Sequence, residues 1–302
     1  MLKFPIVLIK HNTKINFLKQ RYLAYTLSLI LVFVILLSTI VKGLNLGIDF
    51  TGGVIIEINH NSEMNVDNVR TILKDLNYNV NSIQNDNNNN IIIRLKTKNE
   101  TSYASAIDNL KKELSSEFSK IEFRKIDYVG PKVGDELVSK SIIAVLVALI
   151  AMMIYVAIRF NWMFGAGVVI ALMHDIIATI GFYIFSGFEF DLTSIAAILT
   201  IVGYSVNDSV VIYDRIRENL KKHTKKNIVD LINLSINETL SRTIMTAATT
   251  LVVCAALFLF GGPDLEGFGA ALFFGIAFGT YSSIYISAPV ITLFQKAKEA
   301  RA

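Results

Sequence analysis

Six long apolar runs set what this chain can become: Tyr22–Val41, Ser141–Ile158, Gly165–Phe185, Leu192–Tyr213, Thr243–Phe260 and Gly267–Phe294. Each reaches the roughly 18–20 residues needed to cross about 30 Å of hydrocarbon. Backbone groups in lipid have no water to bond, so each run must be helical. The expected fold class is therefore a polytopic α-helical membrane protein with six transmembrane helices. Composition agrees: 53% of residues are hydrophobic and the mean hydropathy is +0.50. The apolar excess sits in the runs instead of being spread along the chain. The last run is long enough to tilt, or to break near Pro289.

Lys and Arg set the expected orientation. Residues 1–21 carry Lys3, Lys10, Lys14, Lys19 and Arg21; residues 214–242 carry Arg215, Arg217, Lys221, Lys222, Lys225, Lys226 and Arg242. Arg159 lies between the second and third spans, and Lys296, Lys298 and Arg301 lie in the tail at 295–302. The two short links on the other side, Ser186–Asp191 and Gly261–Glu266, carry only Glu189, Asp191, Asp264 and Glu266 as charged residues. Both termini and the 214–242 loop are therefore expected in the cytoplasm. The first run has a long basic leader and no A-x-A site after it, as in an uncleaved signal anchor. Val229, Ile232, Ile236 and Leu240 make an apolar stripe in the basic loop, expected as an interfacial helix.

Residues 42–140 form the one long segment outside the runs, and their charges nearly cancel. Val54, Ile56 and Ile58 alternate with polar residues in a strand pattern. Val66, Val69, Leu73 and Leu76 line a helix behind an Asn65 cap. A weaker strand covers Tyr78–Gln84, and Asn85–Asn90 reads as a turn. Ile91, Ile93 and Leu95 alternate again. Tyr103, Ile107, Leu110, Leu114 and Phe118 line a second helix capped by Thr101 or Ser102, and Ile121–Tyr128 is a last strand. The order β-α-β-β-α-β predicts a ferredoxin-like α+β domain, expected on the periplasmic side. That fold names no function.

Function is sought among ionisable groups inside the spans, where an Asp at the centre costs about 2.5–3.5 kcal/mol on insertion scales. His174 and Asp175 lie at the midpoint of the third run. Asp208 lies in the fourth, roughly 8 Å toward the cytoplasm from its centre. Tyr204 and Ser205 share its face, and Asn207 and Ser209 flank it. Arg242, entering the fifth run at similar depth, is a candidate ion-pair partner. A carboxylate held between that pull and desolvation can take and release a proton; the alternative is a static pair that lets two helices pack. His174 could equally bond a neighbouring helix, and Arg242 could snorkel to the interface. Gly267, Ala271, Gly275, Gly279, Ser283 and Ser287 make a small-residue ridge on the last run, read as packing within the bundle ahead of a partner interface. Trp162 is expected as an interface anchor.

The lone cysteine, Cys254, excludes an intrachain disulfide and reads as a packing residue. No G-x-x-x-x-G-K-[ST] occurs, and Gly130-Pro-Lys-Val-Gly134-Asp resembles one only superficially. No metal-spacing cluster is present, and no cofactor is expected. Without an ATP site, the energy source expected is an ion gradient.

Five motifs in order carry a resemblance over nearly the whole chain: Gly47-Ile-Asp-Phe-Thr-Gly-Gly53; Val129-Gly-Pro-Lys-Val-Gly-Asp-Glu-Leu137; His174-Asp175; Gly203-Tyr-Ser-Val-Asn-Asp-Ser-Val-Val-Ile-Tyr-Asp-Arg-Ile-Arg-Glu-Asn219; and Ser235-Ile-Asn-Glu-Thr-Leu-Ser-Arg-Thr243. The chain resembles the SecF branch of the SecD/SecF family, part of the resistance-nodulation-division superfamily. The resemblance implies a subunit of the bacterial inner-membrane preprotein translocase, not an enzyme. It implies pairing with SecD, association with the SecYEG channel and YajC, and use of the proton motive force to complete export of preproteins after the SecA step. It implies a proton-linked role for Asp208, with Arg242 as its partner. His174 and Asp175 are expected on the route by which a proton reaches Asp208 from outside. Two other classes fit the residues: a secondary transporter of small molecules, and a membrane-anchored assembly protein with structural buried charges.

Overall fold

The computed structural model describes residues 13–60, 65–75, 78–86, 90–96, 103–118 and 121–299. Lys3, Lys10, Leu76, Thr101, Ser102, Arg301 and the middle of the Asn85–Asn90 turn lie outside the described residues. Two compact units form. One comprises residues up to Asn45, Ile143–Glu189 and from Thr193 onward; the other comprises Leu46–Ile142 and Phe190–Leu192.

Six helices among the described residues are long and apolar enough to cross a membrane. They are α1 (Arg21–Val41), preceded by a 3-10 turn at Phe17–Gln20, then α5 (Pro131–Arg159), α6 (Trp162–Ser186), α7 (Leu192–Lys222), α8 (Ile228–Phe260) and a composite sixth helix. The sixth consists of α9 (Pro263–Ser282), a π-helical turn at Ser283–Ser287 and α10 (Ala288–Glu299). Burial ranks them. In their apolar windows α6 and the sixth helix bury 61% and 67% of residues, against 11% for the first and 17% for α5 and α8. The outward side chains of the peripheral helices are large and apolar, such as Phe33, Ile40, Val147 and Val252, a surface suited to lipid. Trp162 opens α6 and is exposed, while Cys254 is buried on α8.

Local chemistry explains the helix ends. The Asn161 side chain accepts from the N–H groups of Met163 and Phe164, capping α6, and Gly187 closes it in the left-handed conformation. Pro131 opens α5, where its missing N–H has no intrahelical partner to lose. The sixth helix passes through Pro289 without breaking. Pro289 cannot donate to the turn before it, and the chain accommodates this with the π-turn, in which the N–H of Ala288 reaches Ser283 O, five residues back.

Both α7 and α8 run past their apolar segments. Residues 214–242 form the end of α7, a short turn and the first half of α8, capped by Asn227. Asn219 donates to Ser235 Oγ (3.0 Å) and Glu238 Oε2 (2.6 Å), and Arg215 Nε donates to the same carboxylate at 2.7 Å. The expected interfacial helix is corrected here. Ile232, Ile236 and Leu240 are buried at 0%, 1% and 6% exposure. They belong to a 33-residue helix whose apolar stripe meets protein, not a membrane surface. Its polar neighbours Asn233 and Asn237 grip the stretch before α1: Phe17 N–H donates to Asn233, and Asn237 both accepts from Ile15 N–H and donates to Ile15 O, each at 2.8 Å.

Gly275 and Gly279 of the small-residue ridge pack against α7. A Cβ at Gly275 would lie 2.6 Å from Ile201 Cγ1, and one at Gly279 would lie 3.3 Å from Ser205 Cβ. The ridge thus serves contact within the chain.

The second unit begins with a short helix, α2 (Ile48–Thr51), and continues β1 (Gly53–Asn59), α3 (Val66–Asp75), β2 (Asn79–Asp86), β3 (Asn90–Lys96), α4 (Tyr103–Glu117) and β4 (Glu122–Val129). The strands form one antiparallel sheet in the order β2-β3-β1-β4, with Ile56 opposite both Ile93 and Ile126. One face of β1 and β3 (Val54, Ile56, Ile58, Ile91, Ile93 and Leu95) shares a core with Val69 and Leu73 of α3 and Leu110 and Leu114 of α4. Gly52 and Gly53 have φ of 67° and 143°, and a Cβ on Gly53 would lie 2.5 Å from Leu95 O. Only glycine meets both demands there. Phe190–Leu192 dock onto this corner: Gly47 N–H donates to Phe190 O at 2.9 Å, and Asp49 accepts from Leu192 N–H at 3.0 Å.

Close packing at Gly275 and open space at Gly203 predict opposite effects. Gly275→Val should lower bundle stability by about 1–3 kcal/mol through overpacking. Gly203→Ala, whose Cβ meets nothing within 4 Å, should be neutral or stabilise by up to about 1 kcal/mol. Thermal unfolding of the purified chain in detergent reads both.

Candidate functional site

A buried polar seam lies at the centre of the helical unit, where α6, α7, α8 and the sixth helix meet. His174 and Asp175 are consecutive on α6 and so point about 100° apart. Asp175 turns toward α7 and the sixth helix. Its Oδ2 accepts from Ser205 Oγ at 2.6 Å and from Ser282 Oγ at 2.8 Å, and the residue is 1% exposed. Gly279 gives Ser205 room to make this bond, since a Cβ there would press on Ser205 Cβ at 3.3 Å. His174 turns toward aromatic rings instead. It stacks on Phe278 at 5.2 Å with a 15° interplanar angle and lies 6.4 Å from Tyr281. Its Nδ1 is 3.5 Å from Asp175 Oδ1, and its buried Nε2 has no hydrogen-bond partner.

Asp208 on α7 is the second buried carboxylate, 7% exposed. Thr243 Oγ1 donates to its Oδ1 at 2.6 Å. Among the described residues its buried Oδ2 receives no hydrogen bond. The hydroxyl of Ser283 lies beside the carboxylate and donates to Gly279 O at 2.9 Å. One turn further along α7, buried Tyr213 bonds Ser287 Oγ (2.7 Å) and Ser287 O (3.2 Å). The π-turn thus ends at a carbonyl that α7 binds.

The four residues expected at the site divide here. His174, Asp175 and Asp208 lie in the seam. Arg242 makes no bond within it: the residue is exposed, its charge reaches Asp208, and among the described residues no ion pair joins the two. The helical repeat gives the reason. Thr243 is the residue of α8 turned toward α7, and the position before it is rotated about 100° away. Ser205, expected on the face of Asp208, serves Asp175 instead, and Asn207 points outward. Thr243 and Ser282 were not singled out by the sequence reading. The available signal was a hydroxyl beside each feature that was: Thr243 follows Arg242, and Ser282 precedes the ridge serine Ser283.

The two carboxylates differ in what removing them exposes. Asp175→Leu strands the buried hydroxyl of Ser205 and leaves Ser282 only Gly279 O on its own helix, and should cost about 1–3 kcal/mol. Asp175→Asn keeps an acceptor oxygen and should cost less. Comparing their thermal midpoints in detergent checks this, and equal losses would contradict the hydrogen-bond assignment.

Comparison with known proteins places this chain in a family. The family model for the protein export membrane protein SecD/SecF C-terminal region matches residues 109–297. The SecD/SecF GG motif matches residues 37–59, which include Gly52 and Gly53. The chain is 44% identical over 297 residues to the protein translocase subunits SecF of Rickettsia felis and Rickettsia typhi, covering 98% of this chain and 96% of each relative. It is similar to the crystal structure of SecDF, a translocon-associated membrane protein from Thermus, with a TM-score of 0.85, 34% identity and 96% of this chain covered. It also matches SecDF in a super-membrane-facing form, with a TM-score of 0.73, 34% identity and 99% of this chain covered. The chain spans 40% and 41% of the length of those two SecDF chains. With matches along nearly its whole length, the chain belongs to the SecD/SecF family of protein export membrane proteins, as a SecF subunit of the Sec translocase.

Proposed function

We propose that this subunit works with SecD to convert the proton motive force into completion of preprotein export through SecYEG, after the ATP-driven SecA step and in association with YajC. In this reading both termini and the α7–α8 hairpin are cytoplasmic, and the sheet domain is periplasmic. The basic residues of the short cytoplasmic segments support that orientation. The domain is read as ferredoxin-like; its β-α-β-β-α-β order and the strand order β2-β3-β1-β4 support this.

One observation carries the proton reading. Asp208 is a carboxylate inside a membrane span with one oxygen bonded by Thr243 and the other buried without a donor. A carboxylate so placed is poorly compensated when ionised and gains a stable neutral form on protonation. His174 and Asp175 supply the pathway toward it from the outer side. Arg242, exposed beside Thr243, is the counter-charge available to the ionised state. Proton uptake converts the Thr243 bond from charge-assisted to neutral, weakening the tie between α7 and α8. The helices then shift and carry the periplasmic domain with them, which discourages backsliding of the exported chain. A state change driven this way is no larger than the difference in proton affinity between the two states.

The test is preprotein translocation into vesicles carrying SecYEG, SecD and either this chain or its Asp208→Asn variant, with and without a proton gradient. The variant should assemble with SecD and retain ATP-driven translocation while losing the gradient-dependent part. Wild-type behaviour under both conditions would leave Asp208 a packing residue.

A further inference from the structure

Ser282 has one hydroxyl proton and two acceptors within its reach. Asp175 Oδ2 lies 2.8 Å from its Oγ, and Gly279 O, on its own helix, lies 3.0 Å away. One proton serves one acceptor well, so the hydroxyl has two positions. Ser205 differs: among the described residues its hydroxyl donates to Asp175 Oδ2 alone. Ser282 is fully buried and is the last residue before the π-turn. The choice between acceptors is thus made where the sixth helix changes its hydrogen-bond register.

We infer that Ser282 is a positioning residue that reads the charge of Asp175 and passes it to the sixth helix. This rests on the reading of Asp175 as part of the proton pathway. While Asp175 is ionised, Ser205 and Ser282 both donate to Oδ2, and the carboxylate ties α6, α7 and the sixth helix together. When a proton binds Oδ2, that oxygen becomes a donor. Ser282 then turns its own proton to Gly279 O and accepts from Asp175 through its oxygen lone pair. No bond other than the new O–H is made or broken, and every polar hydrogen keeps an acceptor. What changes is the interhelical bond: a charge-assisted bond from the sixth helix to α6 is replaced by a neutral one running the other way.

The geometry suits a reader more than a simple strut. Gly279 supplies the alternative acceptor, and its missing side chain leaves room for Ser205. The neighbouring hydroxyl of Ser283 already bonds the same carbonyl at 2.9 Å, and a carbonyl oxygen has two lone pairs to share between them. Ionisable groups on the packed helices include His174 beside Asp175, Asp208, Tyr204 and Tyr213 on α7, Arg242 on α8, and Tyr281 and Tyr285 on the sixth helix. His174 is the one recorded in contact with the Asp175 carboxylate.

The same vesicles test the inference, with Ser282→Ala, Ser282→Thr, Asp175→Asn and the double variant Asp175→Asn/Ser282→Ala. Ser282→Ala should lower gradient-dependent translocation about tenfold, the worth of one hydrogen bond to a charged group, with ATP-driven translocation unchanged. Ser282→Thr should restore it, because it keeps the hydroxyl while adding bulk. On the Asp175→Asn background, Ser282→Ala should cause no further loss. Should the extra methyl of Thr prevent assembly, Ser282→Cys, of near-native size but a weak donor, should behave as Ala does. A Cys variant with full gradient response overturns the inference, as does an equal loss from Ser282→Ala with and without the Asp175 carboxylate. If Asp175→Asn itself is indistinguishable from wild type, the pathway role of Asp175 falls first and this inference with it. If Asp175→Asn loses the gradient response while Ser282→Ala keeps it, only the role of Ser282 falls.

Discussion

The oxygen of Asp175 that collects two hydroxyl bonds is the point on which the centre of the helical unit turns. A carboxylate inside a membrane protein needs donors, and those donors must come from other helices because its own backbone is already paired. Ser205 brings α7, and Ser282 brings the sixth helix. The helices must first come close, and this is where Gly275 and Gly279 act: with no side chains, they admit Ile201 and Ser205 of α7 against the sixth helix. Close packing and polar satisfaction are therefore one requirement. A bulkier residue on the ridge would part the helices and strand the hydroxyls together.

The two carboxylates of the seam are held differently. Asp175 has both oxygens occupied, by two hydroxyls and by the His174 imidazole. Asp208 has one oxygen bonded by Thr243 and one buried without a donor. In a medium of low dielectric such an orphaned acceptor is expensive. The asymmetry separates a group that organises helices from a group whose charge is poorly supported, although both are Asp in neighbouring helices. His174 extends the contrast. Stacking on Phe278 fixes its ring while leaving Nε2 without a partner.

Pro289 shows how one residue reshapes its surroundings. It cannot donate a backbone hydrogen bond, and the chain absorbs this in the π-turn at Ser283–Ser287 without breaking the helix. Ser287, the last residue of the turn, accepts the Tyr213 hydroxyl at its carbonyl. The turn also begins directly after Ser282, so the residue bonded to Asp175 and the residue bonded to Tyr213 sit at its two ends. The sixth helix thus bonds α6 at one end and α7 at the other of the segment where its ladder is irregular.

Much of this architecture was legible in the residues. Six apolar runs admit six helices, because a helix is the form in which a single segment satisfies its own backbone in lipid. The alternation of Val54, Ile56 and Ile58 and the spacing of Val66, Val69 and Leu73 each report a local period of 2 or 3.6, and local periods survive folding. His174, Asp175 and Asp208 stood out because charge inside a span is costly wherever it lies. Tertiary structure alone decided the partners. Thr243 donates the hydrogen bond to Asp208 while Arg242 acts on it only through its charge, since a one-residue rotation on α8 separates them. Ser205 left Asp208 for Asp175, and the stripe of Ile232, Ile236 and Leu240 met protein instead of a membrane surface. A sequence repeat states which residues share a face of one helix. What that face meets depends on the rotation and approach of the neighbouring helices, which are set by side-chain packing between segments far apart in the chain.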